Sequence, residues 1–345
     1  MKNYLIIGQG IAGSSLAYHL LKAGARVVIV DHHHHESSSV VSTGILNPLS
    51  GKRFALTPGY DQYFAAATEF YADAAKLFSE TFFEPMPVVR LLRSKSEGDK
   101  LQRKIETGEI SDYIFKQYSP GHFQSLLCDD QGAVEIRHGG VCHTSRLMEV
   151  LKQYFIRKGC LVNERFYYDE IGFSADGAIY QGEEFDKVIF CEGYKAQFNP
   201  WFQHLNFKSI KGEVLRVRMG RRDISRRVLL RGTWLAPSTG DLWAAGGSAA
   251  TDELDGLPTA AGHDTIMDGL KNIIHTDAEV LHHQAAVRPF LNHQNPIVEL
   301  HPRFPQMAIF NGLGSKGFLV APWLAKHFAA NLTGEQQPAA DRQYV

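Results

Sequence analysis

The chain has 345 residues, of which 44% are hydrophobic and 21% are charged, with 31 glycines and a formal net charge of −1 at pH 7. This length predicts two packed domains, and the composition excludes a disordered or fibrous chain. The near-neutral charge gives no reason to expect binding to nucleic acid or to an anionic membrane. No apolar run approaches the roughly 20 residues that span a bilayer.

Four cysteines, Cys128, Cys142, Cys160 and Cys191, are scattered along the chain without a CxxC pair or another metal-type spacing. This distribution is typical of reduced thiols in a cytoplasmic protein, so we expect a cytoplasmic location and no metal site. The N-terminus has one lysine and a very short apolar stretch before its first glycine. That pattern does not match a secretory signal.

The first 31 residues have the pattern of a complete β-α-β unit. Residues 4–7 form a short apolar run, residues 8–13 are Gly-Gln-Gly-Ile-Ala-Gly, and leucines and alanines then recur at helical spacing up to Gly24. A second apolar run, residues 27–30, ends at Asp31. The pattern predicts a strand, a glycine turn, a helix that ends at Gly24, and a second strand.

The glycine turn has the spacing GxGxxG at Gly8, Gly10 and Gly13, followed 18 positions later by Asp31. In such a unit the first glycine allows a tight turn, the second lets the backbone approach a pyrophosphate, and the third lets helix and strand pack closely. The helix N-terminus attracts phosphate, and Asp31 can accept hydrogen bonds from ribose hydroxyls. This context favours a dinucleotide site over an ordinary glycine-rich turn.

The rest of the chain mixes helices and short strands. Residues 32–58 are polar and irregular, and they include four consecutive histidines at 32–35 that we interpret as a solvated loop. The predicted helices cover residues 60–83, 94–107, 146–158 and about 317–332. The predicted strands cover residues 88–92, 161–168, 171–173, 178–180, 186–190 and 307–310, with a tight turn at 176–177 and an alternating stretch at 208–247 that turns at 238–241.

Two further strand-and-glycine elements, at residues 188–193 and 310–317, lie far along the chain from the first. An NAD enzyme usually continues with regular β-α-β repeats, whereas here Asp31 is followed by an irregular segment and a helix of another layer. A dinucleotide site assembled from both ends and the middle of the chain suits FAD, the longer cofactor.

With these motifs the sequence resembles the D-amino-acid oxidase-like flavoproteins, which include glycine oxidase, sarcosine oxidase and the oxidase domain of a bacterial tRNA-modifying enzyme. The resemblance covers nearly the whole chain. Each motif is modest, but their order and spacing together are specific. The matching segments are residues 8–13 with Asp31, the Ser-rich residues 37–47 before Pro48, residues 139–140, 190–193, 211–214, 234–237, 243–247, 287–289 and 312–317.

The resemblance implies an α/β fold with a Rossmann-like FAD-binding domain and a second, sheet-rich substrate domain. The FAD-binding domain is expected to comprise residues 1–78, 138–200 and 286–345, and the substrate domain residues 79–137 and 201–285. FAD is expected to be noncovalent, because no cysteine lies near residue 288, where some sarcosine oxidases have one. The residues expected to hold FAD are Gly8, Gly10, Ile11, Ala12, Gly13, Asp31, His32, Ser42, Thr43, Gly44, Cys191, Glu192, Gly193, Gly312, Leu313, Gly314, Ser315, Lys316 and Gly317.

Three residues are candidates for catalysis. In the resembling amino-acid oxidases the arginine of an Arg-Pro pair holds the substrate carboxylate, which points to Arg288, with a structural salt bridge as the alternative. Trp234 stands where several relatives have a tyrosine, so it supplies an apolar wall instead of a phenolic hydroxyl, unless it is only a core aromatic. Lys316, like Lys211, could place a positive charge near the flavin that favours oxygen reduction, or lie on the surface.

The reaction that the resemblance implies is oxidation of a C–N bond in an amine or amino acid. A hydride passes to the flavin N5, the imine hydrolyses, and oxygen or another acceptor reoxidises the flavin. Because of Trp234, a secondary amine or N-substituted amino acid is expected to be preferred. Two alternatives stay open: action on a modified tRNA base, against which the near-neutral charge argues, and a flavin-binding protein without turnover, whose pocket Trp234 would fill.

Overall fold

The computed structural model of the chain describes residues 1–32, 37–123, 125–174, 177–220, 224–292 and 295–334. The helices are α1 (Ile11–Lys22), α2 (Ser38–Val41), α3 (Tyr60–Phe78), α4 (Lys95–Glu106), α5 (Thr144–Arg157), α6 (Ala260–Lys271) and α7 (Gly317–Thr333), with short 3-10 turns between some of them. None of the helices in these ranges is long and apolar enough to cross a membrane.

Most strands are short, as the predicted pattern suggests. In chain order they are β1 (Asn3–Ile7), β2 (Arg26–Val30), β3 (Ile45–Leu46), β4 (Leu49–Ser50), β5 (Ala55–Leu56), β6 (Phe83–Pro85), β7 (Val88–Leu91), β8 (Ile114–Tyr118), β9 (Ala133–Ile136), β10 (Gly140–Cys142), β11 (Leu161–Val162), β12 (Ile171–Phe173), β13 (Ala178–Tyr180), β14 (Glu183–Phe185), β15 (Lys187–Phe190), β16 (Ile210–Met219), β17 (Val228–Arg231), β18 (Thr233–Pro237), β19 (Leu242–Gly246), β20 (Ala278–Arg288), β21 (Ile297–Leu300) and β22 (Met307–Asn311).

The first large sheet has the strand order β11-β2-β1-β15-β22-β21, and all its pairs are parallel except β21 with β22. Helices α1, α3, α5 and α7 pack on one face, and the small sheet β12-β13-β14 covers the other. Ile7 lies beside both Val30 and Phe190, so these parallel strands end together at one edge. An α/β sheet binds ligands at this carboxyl edge, and the α/β fold class is confirmed.

The second large sheet has the order β20-β16-β19-β18-β17-β7-β9-β8. Helix α6 packs on one face through Ile266 and Leu270, and the opposite face carries Val214 and Trp234, which pack against Val41. All six strands of the first sheet come from the segments assigned to the FAD-binding domain. Strand β20 of the second sheet crosses the proposed boundary at 286, and the residue boundaries of the two domains stay a prediction.

Helix α3 ends earlier than its apolar pattern predicts. The pattern continues to residue 83, but the helix stops at Phe78 because Ser79 adopts a left-handed conformation with φ 54°. Phe83 then opens strand β6 and pairs with Cys142 of β10. Sheet pairing therefore overrides the helical periodicity of the last five residues, and Pro85 lies in a strand, well beyond the point at which the helix ends.

Several elements lie where the sequence pattern does not reveal them. Helix α2 lies inside the stretch predicted to be irregular, and the Ser37 side chain caps it by accepting from Val40 N. The structure also forms α6, β20 and β21, which carry no clear period in the sequence, and strand β11 is limited to two residues of the predicted 161–168. The predicted turn residue Asp176 and the histidines at 33–35 lie outside the described residues.

Pro322 is the sixth residue of helix α7. A proline has no N–H, so the carbonyl of Phe318, four residues earlier, lacks its usual helical donor. The buried hydroxyl of Tyr71 on α3 donates to that carbonyl. This bond satisfies the carbonyl and attaches the first turn of α7 to α3, so that the helix can begin regularly at Gly317.

The close packing of α1 on the glycine turn gives a test of stability. A Cβ on Gly13 would overlap the carbonyl oxygen of Gly8, so Gly13→Ala is expected to destabilise the cofactor-free protein by about 2–3 kcal/mol. Gly159→Ala is the control, because residue 159 has φ 67° but its Cβ would meet nothing within 4 Å; its expected loss is about 1 kcal/mol. Urea unfolding measures both, and equal losses would contradict the close packing.

Candidate active site

One cavity of about 830 Å³ lies at the carboxyl edge of the parallel strands and reaches the second sheet. This volume is within the roughly 300–1,000 Å³ typical of ligand sites. The predicted site residues that line it are Gly8, Gly10, Ile11, Ala12, Asp31, His32, Ser42, Thr43, Gly44, Cys191, Glu192, Gly193, Trp234, Arg288, Leu313, Gly314, Ser315 and Gly317. Gly13, Gly312 and Lys316 adjoin these residues in sequence but do not line the cavity.

The glycine turn opens the N-terminus of α1 towards the cavity. Gly8 has φ 102°, and a Cβ there would lie 2.5 Å from the carbonyl oxygen of Cys191, so only glycine fits. Gly10 is the N-cap and makes no side-chain capping bond, while Ile11 N donates to Ser39 Oγ at 3.0 Å. The remaining first-turn N–H groups have no intrahelical acceptor, which is the arrangement that binds phosphate.

Asp31 follows β2 and lies beside the turn. Its Oδ1 accepts a hydrogen bond from Gln9 N at 2.8 Å, which fixes the carboxylate against the turn. Burial raises the pKa of the Asp31 carboxyl above its usual value. His32 also lines the cavity, so both residues occupy the position at which we expect the ribose.

The strand β15 delivers Cys191, Glu192 and Gly193 to the cavity. The Glu192 carboxylate accepts from Tyr168 Oη at 2.7 Å and from Asn199 Nδ2 at 2.9 Å, and burial raises its pKa. Its side chain is thus held by protein donors. We therefore expect the backbone of this segment, rather than the carboxylate, to meet a bound ligand.

Residues 42–44 contribute a hydroxyl that lacks a partner. Thr43 Oγ1 is buried in the wall of the cavity and has no hydrogen-bond partner among the described residues. Gly44 has φ 68°, and a Cβ there would overlap the carbonyl oxygen of Cys142. A buried polar atom without a partner is costly, so Thr43 suits a bound polar group.

The C-terminal glycine loop follows β22 of the first sheet and contacts the residue after β20 of the second. Gly312 and Gly314 have φ 73° and 55°, and Gly314 N donates to the carbonyl of Pro289 at 2.9 Å. Helix α7 then begins at Gly317 without a side-chain cap. A second helix N-terminus is therefore presented beside the Arg-Pro segment, where it can stabilise negative charge.

The two candidate lysines have different surroundings. Lys316 precedes α7, and its Nζ donates to Thr57 Oγ1 at 2.9 Å; burial lowers the pKa of this lysine. Neither lysine lines the cavity, but the Lys211 Nζ pairs with Asp255 Oδ1 at 2.9 Å. Lys316 thus remains a candidate for a charge close to the cofactor, whereas Lys211 is used in holding a loop.

Arg288 ends β20 and its guanidinium faces the cavity. Its Nη2 donates weakly to Ser248 O at 3.4 Å, and its buried Nε has no hydrogen-bond partner within the ranges that the structure describes. In the part of the chain that the structure describes, no carboxylate pairs with it, and burial alone lowers the pKa of the guanidinium. A Cβ on Gly212 would overlap Nη2, so the glycine makes room for the side chain. The structural salt bridge considered from the sequence is not found.

Trp234 on β18 forms a wall of the cavity. Its indole lies over Gly246 of β19, where a Cβ would overlap the ring. It packs beside Val214 and Ala286. Trp234 is one of the residues that line this cavity of about 830 Å³, so its indole forms part of the wall.

These residues fit FAD on structural grounds. The cavity is long enough to touch both large sheets, two uncapped helix N-termini open onto it, and Thr43 offers an unpartnered hydroxyl. The comparison with known families agrees. The family model for FAD dependent oxidoreductases, abbreviated DAO, matches residues 3–331. The chain belongs to this family.

Similar proteins share the full length of this FAD-dependent oxidoreductase. An uncharacterized oxidoreductase of Bacillus subtilis (strain 168), YurR, is 25% identical over 97% of this chain and 96% of the relative. The tRNA 5-methylaminomethyl-2-thiouridine biosynthesis bifunctional protein MnmC of Marinobacter nauticus is 23% identical over 97% of this chain, which spans only 56% of that relative.

Solved structures share the fold. Glycine oxidase from Geobacillus kaustophilus superposes with a TM-score of 0.84 and 20% identity, covering 98% of this chain and 96% of that one. Iminodiacetate oxidase from Chelativorans sp. BNC1 gives 0.80 and 22%, covering 99% and 98%. These likenesses confirm the fold of an FAD-binding oxidoreductase with a second domain.

Several residues of the cavity wall have no signal in the sequence. Ser39 lies next to the predicted serines, and its role at the helix N-terminus depends on a contact with α1 that spacing does not reveal. The others come from segments without a motif. They are Glu164, Arg165, Phe166, Tyr168, Tyr194, Lys195, Phe198, Asp255, Gly256 and Leu257.

The position of Cys191 predicts noncovalent attachment of FAD. The Cys191 carbonyl lies against Gly8 at the glycine turn, its side chain is buried, and burial raises the pKa of its thiol. Acid precipitation is expected to leave the flavin in the supernatant, and Cys191→Ser should retain it equally well. Flavin that stays with the denatured protein, as judged by fluorescence after denaturing electrophoresis, would contradict this.

Proposed function

We propose that the protein oxidises the C–N bond of a carboxylate-bearing secondary amine, such as an N-substituted amino acid. The observation that carries this proposal is Arg288, a guanidinium at the cavity wall that has no carboxylate partner among the described residues. A desolvated cation is stable only with an anion close by. A substrate carboxylate supplies that anion, and the planar guanidinium can bind it through two parallel hydrogen bonds.

FAD, when bound, supplies the hydride acceptor for this oxidation. The side chains of the protein then have to position the amine and exclude water. Arg288 orients the substrate by its carboxylate, and Trp234 offers an apolar wall without a hydroxyl. A neutral amine needs no protein base to release a hydride. Because Trp234 presents an apolar wall and no hydroxyl, this site favours an N-substituted amine over a free D-amino acid.

The electron acceptor and the location are also part of the proposal. Oxygen or another acceptor would take the electrons, and Lys316 would assist by placing a buried positive charge near the start of α7. All four cysteines are free thiols, which supports the cytoplasmic location expected from the sequence.

A modified tRNA base is the second candidate substrate, because the MnmC relative matches 97% of this chain. The formal net charge of −1 gives no basic surface on average. A flavin-binding protein without turnover is the third candidate, in which the Trp234 indole would occupy the space for a substrate. Anaerobic titration with N-substituted amino acids, D-amino acids and aminomethyl-uridine nucleosides, followed by loss of the oxidised flavin band, separates the three.

The role of Arg288 is tested by substitution. Arg288→Ala should lower the second-order rate of flavin reduction about 10- to 100-fold, because it removes a charge-assisted bond to the carboxylate. Arg288→Lys should recover only part of the loss, since an ammonium lacks the planar fork. The FAD affinity should change little. Wild-type reduction kinetics in Arg288→Ala would remove this residue from the site, and a large loss of FAD would favour a structural role.

The role of Lys316 is tested by measuring how fast oxygen reoxidises the reduced enzyme. Lys316→Met should slow the reaction of the reduced enzyme with oxygen about tenfold, on the order of 1.4 kcal/mol, while the anaerobic reduction rate stays close to that of wild type. Lys326→Met, on the exposed side of α7 where Lys326 pairs with Glu69, is the control. Equal reoxidation rates in Lys316→Met and wild type would contradict the role.

The pH dependence gives a second check on Lys316. Because burial lowers its pKa, the ammonium is fully charged below the folded-state pKa and loses its charge as the pH rises through it. The oxygen reaction of the wild type is expected to decline at a pH below the usual lysine range. This alkaline limb should be missing in Lys316→Met.

A further inference from the structure

Residues 251–258, here named the strap, cross the end of the cavity between β19 and α6. Asp255, Gly256 and Leu257 line the cavity. Gly256 has φ 74°, which lets the chain turn there, and Leu257 N donates to Asp255 Oδ1 at 2.9 Å. The strap is thus an ordered turn whose inner side faces the site.

Two residues of β16 hold the strap at its ends and its middle. Before the strap, Lys211 and Ala250 exchange backbone hydrogen bonds of 2.8 and 3.0 Å. After it, Thr259 donates through N and Oγ1 to the Glu213 carboxylate at 3.0 and 2.8 Å. Within it, Asp255 binds the Lys211 ammonium. The Lys211 side chain is only 1% exposed, so its stem is buried beneath the strap.

The residue between these two anchors contacts the proposed carboxylate site. Gly212 is flanked by Lys211 and Glu213, and a Cβ on it would overlap Nη2 of Arg288. The tripeptide therefore makes room for Arg288 with its central residue and fixes the strap with the outer two. The strap consequently lies at the same end of the cavity as Arg288.

Leu257 is an exposed apolar side chain at this end of the cavity. It is 63% exposed, although it lines the pocket. An isolated exposed leucine is ordinary, but one held at the mouth of a substrate cavity gains buried area when an apolar group binds next to it. Full burial of one methylene raises the affinity about fourfold, which is enough to discriminate between substrates that differ by a few carbons.

From this arrangement we infer that Leu257 determines specificity for an apolar substituent on the substrate nitrogen, and that the Lys211–Asp255 pair keeps the strap in place for this contact. The inference rests on the proposed function, because it takes Arg288 as the anchor for the carboxylate. It adds the substrate class: N-alkyl amino acids with chains longer than methyl bind better than the N-methyl compound.

Binding of inert analogues tests the role of Leu257. Thioether carboxylates, with sulfur in place of the nitrogen, are titrated into the FAD-loaded protein and followed by the change in the flavin absorbance. In the wild type the butyl compound should bind about tenfold more tightly than the methyl compound. In Leu257→Ser this preference should fall below about threefold. Leu300→Ser, at an exposed leucine of β21 outside the cavity, should keep it.

The two possible failures have different signatures. A butyl preference that survives in Leu257→Ser, or that falls equally in Leu300→Ser, overturns the role of Leu257. If none of the thioether carboxylates changes the flavin absorbance, and Arg288→Ala leaves the rate of flavin reduction unchanged, the proposed function fails instead.

Proteolysis tests, without any ligand, whether the Lys211–Asp255 pair keeps the strap in place. Glu253 in the strap is exposed, and a glutamate-specific protease should cleave after it once the strap opens. Lys211→Met keeps the stem but removes the charge, and it should speed this cleavage about three- to tenfold. Lys271→Met, which breaks the exposed pair with Asp268 on α6, is the control. Cleavage of Lys211→Met at the wild-type rate overturns the proposal that the Lys211–Asp255 pair holds the strap.

Discussion

The contact on which the structure depends is the close approach of the first helix to the glycine turn and to the neighbouring strand. Gly13 rests on the carbonyl of Gly8, and Gly8 rests on the carbonyl of Cys191. Because neither residue has a side chain, the ends of β1 and β15 and the start of α1 come together at one point. The orphan N–H groups of α1 therefore open onto the same cavity as the residues after β15, and the second sheet closes that cavity from the other side.

The sequence predicts the parts of the molecule that local rules control. The β-α-β unit, Asp31, the strand before Cys191 and the helix after Gly317 all follow from apolar runs and glycine spacing, and each lies where the pattern places it. Local rules fail where pairing across long distances decides the structure. The end of α3 is an example, because Phe83 joins a strand with Cys142, which the helical period of residues 60–83 cannot reveal.

The same limit applies to the candidate site. Arg288 and Trp234 can be identified from motifs, but the absence of a carboxylate beside Arg288 among the described residues is a property of the assembled sheets. The strap carries no motif, since its function depends on contacts with β16, roughly forty residues earlier in the chain. A guanidinium buried without an anion lowers the stability of the ligand-free protein, and such departures from local consistency are expected at functional sites.

The bond between Tyr71 and the first turn of α7 has a consequence for the evolution of the family. The hydroxyl is needed at this point because residue 322 is a proline and leaves the Phe318 carbonyl without its helical donor. In a descendant with any other residue at 322, the helix would supply that donor itself, and phenylalanine would serve at 71. The two positions are therefore expected to covary: the tyrosine should be lost only after the proline, and a chain that loses them in the opposite order must pass through a less stable intermediate.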